Sequence, residues 1–195
     1  MISFRYFFLP YFYTLYYHHR TNGSTVARPL WHEYLEDPVT RTIHTQFMVG
    51  PSLMICPVLE KHATTKECYF PGRSASDKWF DVSRVLFDKI TPRPYAKRWV
   101  TLDVPMTDIP VLMRSGRIVP AQYPAWTTSE SRLNDFVLLV ALDSSRSSAS
   151  GDIFVDDGDS IGTLESKSYF HATFEFKNGK LTMSADVENF PSSSV

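Results

Sequence analysis

Near the N-terminus, apolar side chains recur every three or four positions, at Phe4, Phe8, Phe12, Leu15 and Tyr16, which is the stripe of a helix packed against a large neighbour. Pro10 falls inside that pattern and predicts a kink, because an interior proline removes a hydrogen bond at a cost of roughly 3 kcal/mol. Asn22-Gly23 ends the helix, glycine being the residue that accepts a left-handed cap. Thr25 to Tyr34 reads as a strand with a short following loop, and Asp37-Pro38 as a turn. After Gln46 the pattern shortens. Phe47 to Leu59 is two apolar runs broken by Gly50-Pro51 and Pro57, too punctuated for a helix. Alternating segments follow at Glu67 to Phe70, Trp79 to Val82, Trp99 to Leu102, Val111 to Met113, Ile118-Val119, Phe136 to Leu142, Asp152 to Val155, Tyr169 to Phe176 and Lys180 to Ala185. Strands at this spacing predict a mainly β chain of sandwich type. Arg84 to Arg98, with Pro92 and Pro94, and Pro124 to Asn134 read as linkers, the second dividing two sandwiches. Ser144 to Gly151 reads as a flexible hairpin loop and Pro191 to Val195 as a frayed end.

Composition changes this picture little. A chain of 195 residues with 43% hydrophobic side chains can bury a core as one large domain or two small ones. With 20 basic and 21 acidic residues and a net charge of -1, it carries no electrostatic footprint for nucleic acid or an anionic membrane. Residues 2 to 17 are apolar, but Arg5, Pro10 and the tyrosines fit neither a signal peptide nor a spanning helix. Cys56 and Cys68 could form one bridge; the apolar run around Cys56 favours buried free thiols instead. Asn22-Gly23-Ser24 is an N-glycosylation triplet and makes Asn22 a candidate acceptor.

The candidate chemistry divides between sharp and bland readings. Asp156-Asp157-Gly158-Asp159 lacks the spacing of a calcium loop and reads as a hairpin turn. His32-Glu33 opens like a zinc-protease helix, but Glu36 stands where a second histidine is required. His18, His19, His32 and His44 have no metal-ligand spacing, and His18 and His19 suit the C-terminal end of the first helix. No metal or cofactor is expected. Trp79, Trp99, Tyr123 and Trp126 could stack on sugar rings, although packing in an inter-domain core is the favoured role.

Beyond single sites, a set of motifs runs in order along the chain. It comprises the aromatic helix Arg5 to Leu15, Arg28-Pro29-Leu30-Trp31-His32-Glu33-Tyr34, Gln46-Phe47, Gly50-Pro51 and Pro57-Val58-Leu59. It continues with Tyr69-Phe70-Pro71, Trp79-Phe80-Asp81, Trp99 to Leu102, Arg114-Ser115-Gly116, Ile118-Val119-Pro120, Ser131-Arg132 and Phe154 to Gly158. Together they resemble the C-terminal portion of glycoside hydrolase family 31, the α-glucosidase family. Trp31, where that family usually has Phe, and Ser115, where it has Gly or Ala, mark a divergent member.

The resemblance implies that residues 1–45 are the last helix and strand of a catalytic (β/α)8 barrel. It makes 46–125 a proximal β-sandwich and 126–195 the start of a distal one, incomplete here. It implies a retaining exo-α-glucosidase acting on maltose-like oligosaccharides, in a secretory, lysosomal or extracellular setting. The two catalytic aspartates of the family lie in segments that do not occur in this sequence. A whole barrel takes roughly 250 residues, so those segments are expected upstream, and no catalytic residue is assigned. Arg28 is the one candidate for reaching a substrate; holding a carboxylate or backbone carbonyls at the barrel seam is the favoured role. The expected partner of this chain is the barrel itself, by intramolecular packing. The alternatives are a stand-alone carbohydrate-binding module and an inactive structural remnant. Alone, the chain is expected to expose Phe4, Phe8, Phe12 and Leu15, to be poorly soluble and not to hydrolyse maltose.

Overall fold

A computed structural model describes residues 2–73, 77–87, 89–93, 98–143 and 147–189. In chain order the elements are α1 (Ile2–Phe7), α2 (Leu9–Asn22), β1 (Ala27–Pro29), α3 (Leu30–Glu33), β2 (Phe47–Val49), β3 (Leu53–Ile55), β4 (Thr65–Phe70), β5 (Trp79–Arg84) and β6 (Lys89–Arg93). There follow β7 (Arg98–Asp103), β8 (Val111–Arg114), β9 (Arg117–Gln122), α4 (Thr128–Ser131), β10 (Phe136–Ala141), β11 (Ala149–Val155), α5 (Thr163–Ser166), β12 (Phe170–Lys177) and β13 (Lys180–Glu188). The chain is mainly β, and strands stand at every alternating segment read from the sequence. It forms two compact units, one of residues 1–24, 118–140 and 147–195, the other of 25–117 and 141–146. Residues 144–146 of the expected flexible loop, 88 and 94–97 of the first expected linker and the expected frayed end at 191–195 lie outside the described residues.

In the first unit, the expected kinked helix is two helices. Phe8 interrupts the helix, so Pro10 falls in the first turn of α2, where a missing N–H costs nothing. Gly23, at φ 75°, caps α2 and donates its N–H to His19 O at 3.0 Å. The buried residues are Phe7, Phe8, Pro10, Tyr11, Thr14 and Leu15, a face turned slightly from the expected stripe. Phe8 and Leu15 are thus covered by the chain's own sheet, against the expectation that they stand exposed.

The sheet of this unit runs β10-β9-β11-β12-β13. β12 and β13 close on Asn178 and Gly179 at φ 53° and 76°, a turn whose twist suits a tight hairpin. Gly151 lies inside β11, so the strand begins within the expected loop. A Cβ there would collide with the Ile118 carbonyl of β9. The expected linker 124–134 carries α4, closed by a capping box in which Thr127 and Glu130 satisfy each other's backbone N–H.

The second unit holds an antiparallel sheet β1-β2-β3-β8-β5-β6 and a two-stranded sheet β4-β7. Trp79, fully buried, centres a core with Leu30, Met48, Met54, Phe70 and Leu112. Cys56 and Cys68 lie in that core as a disulfide, which corrects the expectation of free thiols. Their Cα atoms stand 6.3 Å apart because β4 packs over the end of β3, a proximity that the apolar run around Cys56 does not reveal. The expected linker from Arg84 to Arg98 is in part a strand: β6 pairs with β5 across a bulge between Asp81 and Arg84. Pro92 is tolerated because β6 is the edge of its sheet. The expected loop after β1 is the single-turn helix α3, and Asp37 caps a 3-10 turn from Pro38 to Thr42.

Candidate functional site

Arg28 leaves β1 and bonds to its own surroundings. Its Nη1 donates to Glu33 Oε1 at 2.7 Å, and its Nε donates to Thr25 O at 3.0 Å, with Nη2 reaching the same carbonyl. From β8, Arg114 Nη1 approaches Glu33 Oε2 at 3.5 Å, an ion pair too long for a good hydrogen bond. The three side chains are only 9–10% exposed, so one carboxylate offsets two buried guanidinium groups. Arg114 also lies 4.8 Å over the Tyr34 ring. Burial raises the Tyr34 phenol well above its ordinary value, against the pull of Arg114. The Tyr34 hydroxyl and Arg114 Nη1 have no hydrogen-bond partner among the described residues. His32 Nδ1 stands 3.7 Å from Glu33 Oε1.

In the first unit, polar contacts tie α2 to β11 and its C-terminal extension. Tyr13 OH donates to Asp156 Oδ1 at 2.6 Å, Phe154 N donates to Thr14 Oγ1 at 3.0 Å, and His18 Nε2 meets Asp152 Oδ2 at 2.6 Å. The spacing is a property of the two elements. Four residues of helix rise about 6 Å and two residues of strand about 6.6 Å, so Thr14 and His18 reach Phe154 and Asp152 in step. Asp156 also accepts from Gly158 N at 2.9 Å and Thr163 Oγ1 at 3.0 Å. The Asp-Gly segment is therefore an Asx turn opening the longer connection to α5, not the hairpin turn expected. Arg132 donates to the Asp156 carbonyl.

Asp152 also meets His171 Nε2 at 3.1 Å, and His171 Nδ1 meets Asp186 Oδ2 at 3.0 Å. Hydrogen bonding to Asp152 raises the His171 pKa above its usual 6.5, against desolvation. Burial pushes the Asp152 carboxyl up, but hydrogen bonds from His171 and His18 outweigh it and bring it down to about 2. Asp152 and Asp186 face each other only across the His171 imidazole, which fills the space between them. No group of His, Cys, Asp and Glu among the described residues is placed to hold a metal ion.

Between α1 and α2 on one side and β9, α4, β10 and β11 on the other lies an apolar groove of about 210 Å³, with Tyr6, Phe12, Tyr13, Tyr16, Arg132 and Phe136 among its walls. Of the candidate sugar platforms, Trp79 is core, whereas Trp126 is 96% exposed and Trp99 and Tyr123 are about half exposed in this chain. Asn22 lies exposed at the end of α2. His19 Nδ1 faces Ser24 O at 3.1 Å, and His44 Nδ1 faces Thr42 O at 3.3 Å. No described helix is long and apolar enough to cross a membrane.

This β-rich arrangement recurs in a solved glucosidase structure. It superposes on the glucosidase II alpha subunit bound to alpha3-Glc2 with a TM-score of 0.82 and 28% identity, over 95% of this chain and 19% of that one. Residues 23–119 match the glycosyl hydrolase family 31 C-terminal domain. The chain is 39% identical to lysosomal alpha-glucosidase of Rattus norvegicus, covering 91% of this chain and 19% of the relative. It is 44% identical to alpha-glucosidase of Aspergillus niger, covering 80% and 15%. Intestinal sucrase-isomaltase of Homo sapiens is 37% identical, over 92% of this chain and 9% of that protein. The chain belongs to glycoside hydrolase family 31 and spans about a fifth of the length of the first of these relatives.

Proposed function

We propose that this chain is the C-terminal portion of a retaining exo-α-glucosidase that releases glucose from maltose-like oligosaccharides. In that reading, residues 1–45 close the catalytic barrel, 46–125 form the proximal β-sandwich and 126–195 begin the distal one. The chain braces the barrel and contributes no catalytic carboxylate. What carries the reading is the alignment to lysosomal alpha-glucosidase at 39% identity along 91% of this chain. The structural matches support it, and the exposed side of α1 and α2, at Ile2 and Tyr16, is the surface we assign to barrel packing. A retaining glycosidase needs two carboxyl groups about 5 to 5.5 Å apart with a sugar between them. The Asp152 and Asp186 pair has an imidazole in that place.

The purified chain should release no chromophore from an aryl α-glucoside, and turnover well above a heat-treated control overturns the proposal. A second reading, a stand-alone carbohydrate-binding module, draws on the exposed Trp126 and Tyr123. Glucan titration by calorimetry separates the two: heat of binding that disappears in Trp126→Ala selects the module. Absence of both binding and a function for the chain beside a barrel leaves the inactive remnant.

A further inference from the structure

Asn22 is the last residue of α2, and both it and Gly23 are exposed. Asn22 Oδ1 accepts from the backbone N–H of Ser24 at 3.0 Å and from its hydroxyl at 2.6 Å. The amide oxygen is thus occupied by the hydroxyl residue of the triplet, which leaves the amide nitrogen as the group to be modified. The turn is also open. Gly23 is left-handed at φ 75°, and a Cβ built on it meets no atom within 4 Å. A bulky, hydrated substituent at this point displaces no packed side chain.

The disulfide is a separate observation that points the same way. Cys56 and Cys68 are both fully buried and joined, and such bonds persist in secretory rather than cytosolic compartments. The route that oxidises cysteines also attaches oligosaccharides to Asn-x-Ser triplets on surface loops. We infer that Asn22 carries an N-linked oligosaccharide, acquired in the same oxidising compartment that closes Cys56–Cys68. In the transfer, Asn22 Nδ2 bonds to the anomeric carbon of a lipid pyrophosphate-linked oligosaccharide. The anomeric carbon–oxygen bond breaks, the lipid pyrophosphate leaves with the electron pair, and Nδ2 gives up one proton. The cysteines separately lose two protons and two electrons to a disulfide-bearing oxidant.

The test is expression of the full 195-residue chain behind a secretion leader in a eukaryotic host. The Asn22 peptide is read by mass spectrometry after peptide-N-glycosidase treatment in heavy-oxygen water. Asn22 should appear as aspartate carrying one heavy oxygen, and the intact chain should lose mass on treatment. That loss should vanish in Asn22→Gln and Ser24→Ala and persist in Ser24→Thr, which keeps the hydroxyl. Unmodified Asn22 in a chain whose Cys56–Cys68 pair is oxidised overturns the inference. Where the chain is retained in the cell, the same peptide is read from the membrane-enclosed fraction, and the same two outcomes apply. Because this readout does not depend on the chain itself hydrolysing any sugar bond, it stands or falls apart from the glucosidase proposal.

Discussion

Glu33 is the residue on which two buried arginines depend. Its carboxylate takes a hydrogen bond from Arg28 and the charge of Arg114, and its own backbone carbonyl accepts from Arg73 at 3.2 Å. Removing one member of a buried charge cluster leaves the others without compensation, at a cost of about 3 to 5 kcal/mol. Glu33→Ala should therefore lower the urea midpoint markedly, and more than Arg28→Lys, which keeps a charge near the carboxylate. A midpoint within error of the parent protein would show that the cluster is not structural. The preferred role for Arg28 follows from chemistry alone, since a guanidinium matches a carboxylate wherever one is near. Its partner is less visible. Glu33 stands out in the sequence only beside His32, and Arg114 reaches it because β8 lies in the sheet that begins with β1.

At the scale of elements, the packing of α2 on β11 rests on a match between helical and strand rise, and its polar ties concentrate on Asp152, Phe154 and Asp156. Two groups at its outer end have shifted titrations, Asp152 and His171. His18 from α2, His171 from β12 and Asp186 from β13 gather around Asp152 of β11, with Tyr17 and Tyr169 beside them. His171 has a raised pKa, so its contribution is complete below about pH 6.5 and is lost as pH climbs through the folded-state value. Asp152 has a lowered one, so its contribution is present above about pH 4 and is lost as pH falls through about 2. The two windows overlap in mild acid. Thermal unfolding followed from pH 5 to pH 8 should show falling stability, with a shallower slope in His171→Gln; equal slopes would sink the assignment.

Other features of element scale are open to reading. The capping box of Thr127 and Glu130 has the ordinary spacing of a helix start within a stretch that otherwise resembles a linker. Asn178-Gly179 between two alternating runs is a hairpin signal. Pro92 misleads, because proline excludes a central strand but not an edge, and edge or centre is a property of the sheet.

For the whole molecule, the disulfide is the covalent tie that constrains the unfolded chain. It closes a loop between residues separated by 12 positions, for which chain entropy predicts about 3 kcal/mol. Unfolding in urea with and without reductant should differ by about that amount, and Cys56→Ala with Cys68→Ala should remove the difference. An unchanged midpoint under reductant would mean that the surrounding core alone holds the region together. The mainly β character, nearly all strand positions, the glycine cap of α2 and the family are legible in the order of residues, because each follows from local periodicity, backbone sterics or ordered motifs. The disulfide, the Arg28–Glu33–Arg114 cluster and the setting of His171 are not. Those join residues from elements brought together only by strand register and sheet packing. A slip of one residue between β12 and β13 would turn His171 to the other face and leave the local pattern unchanged.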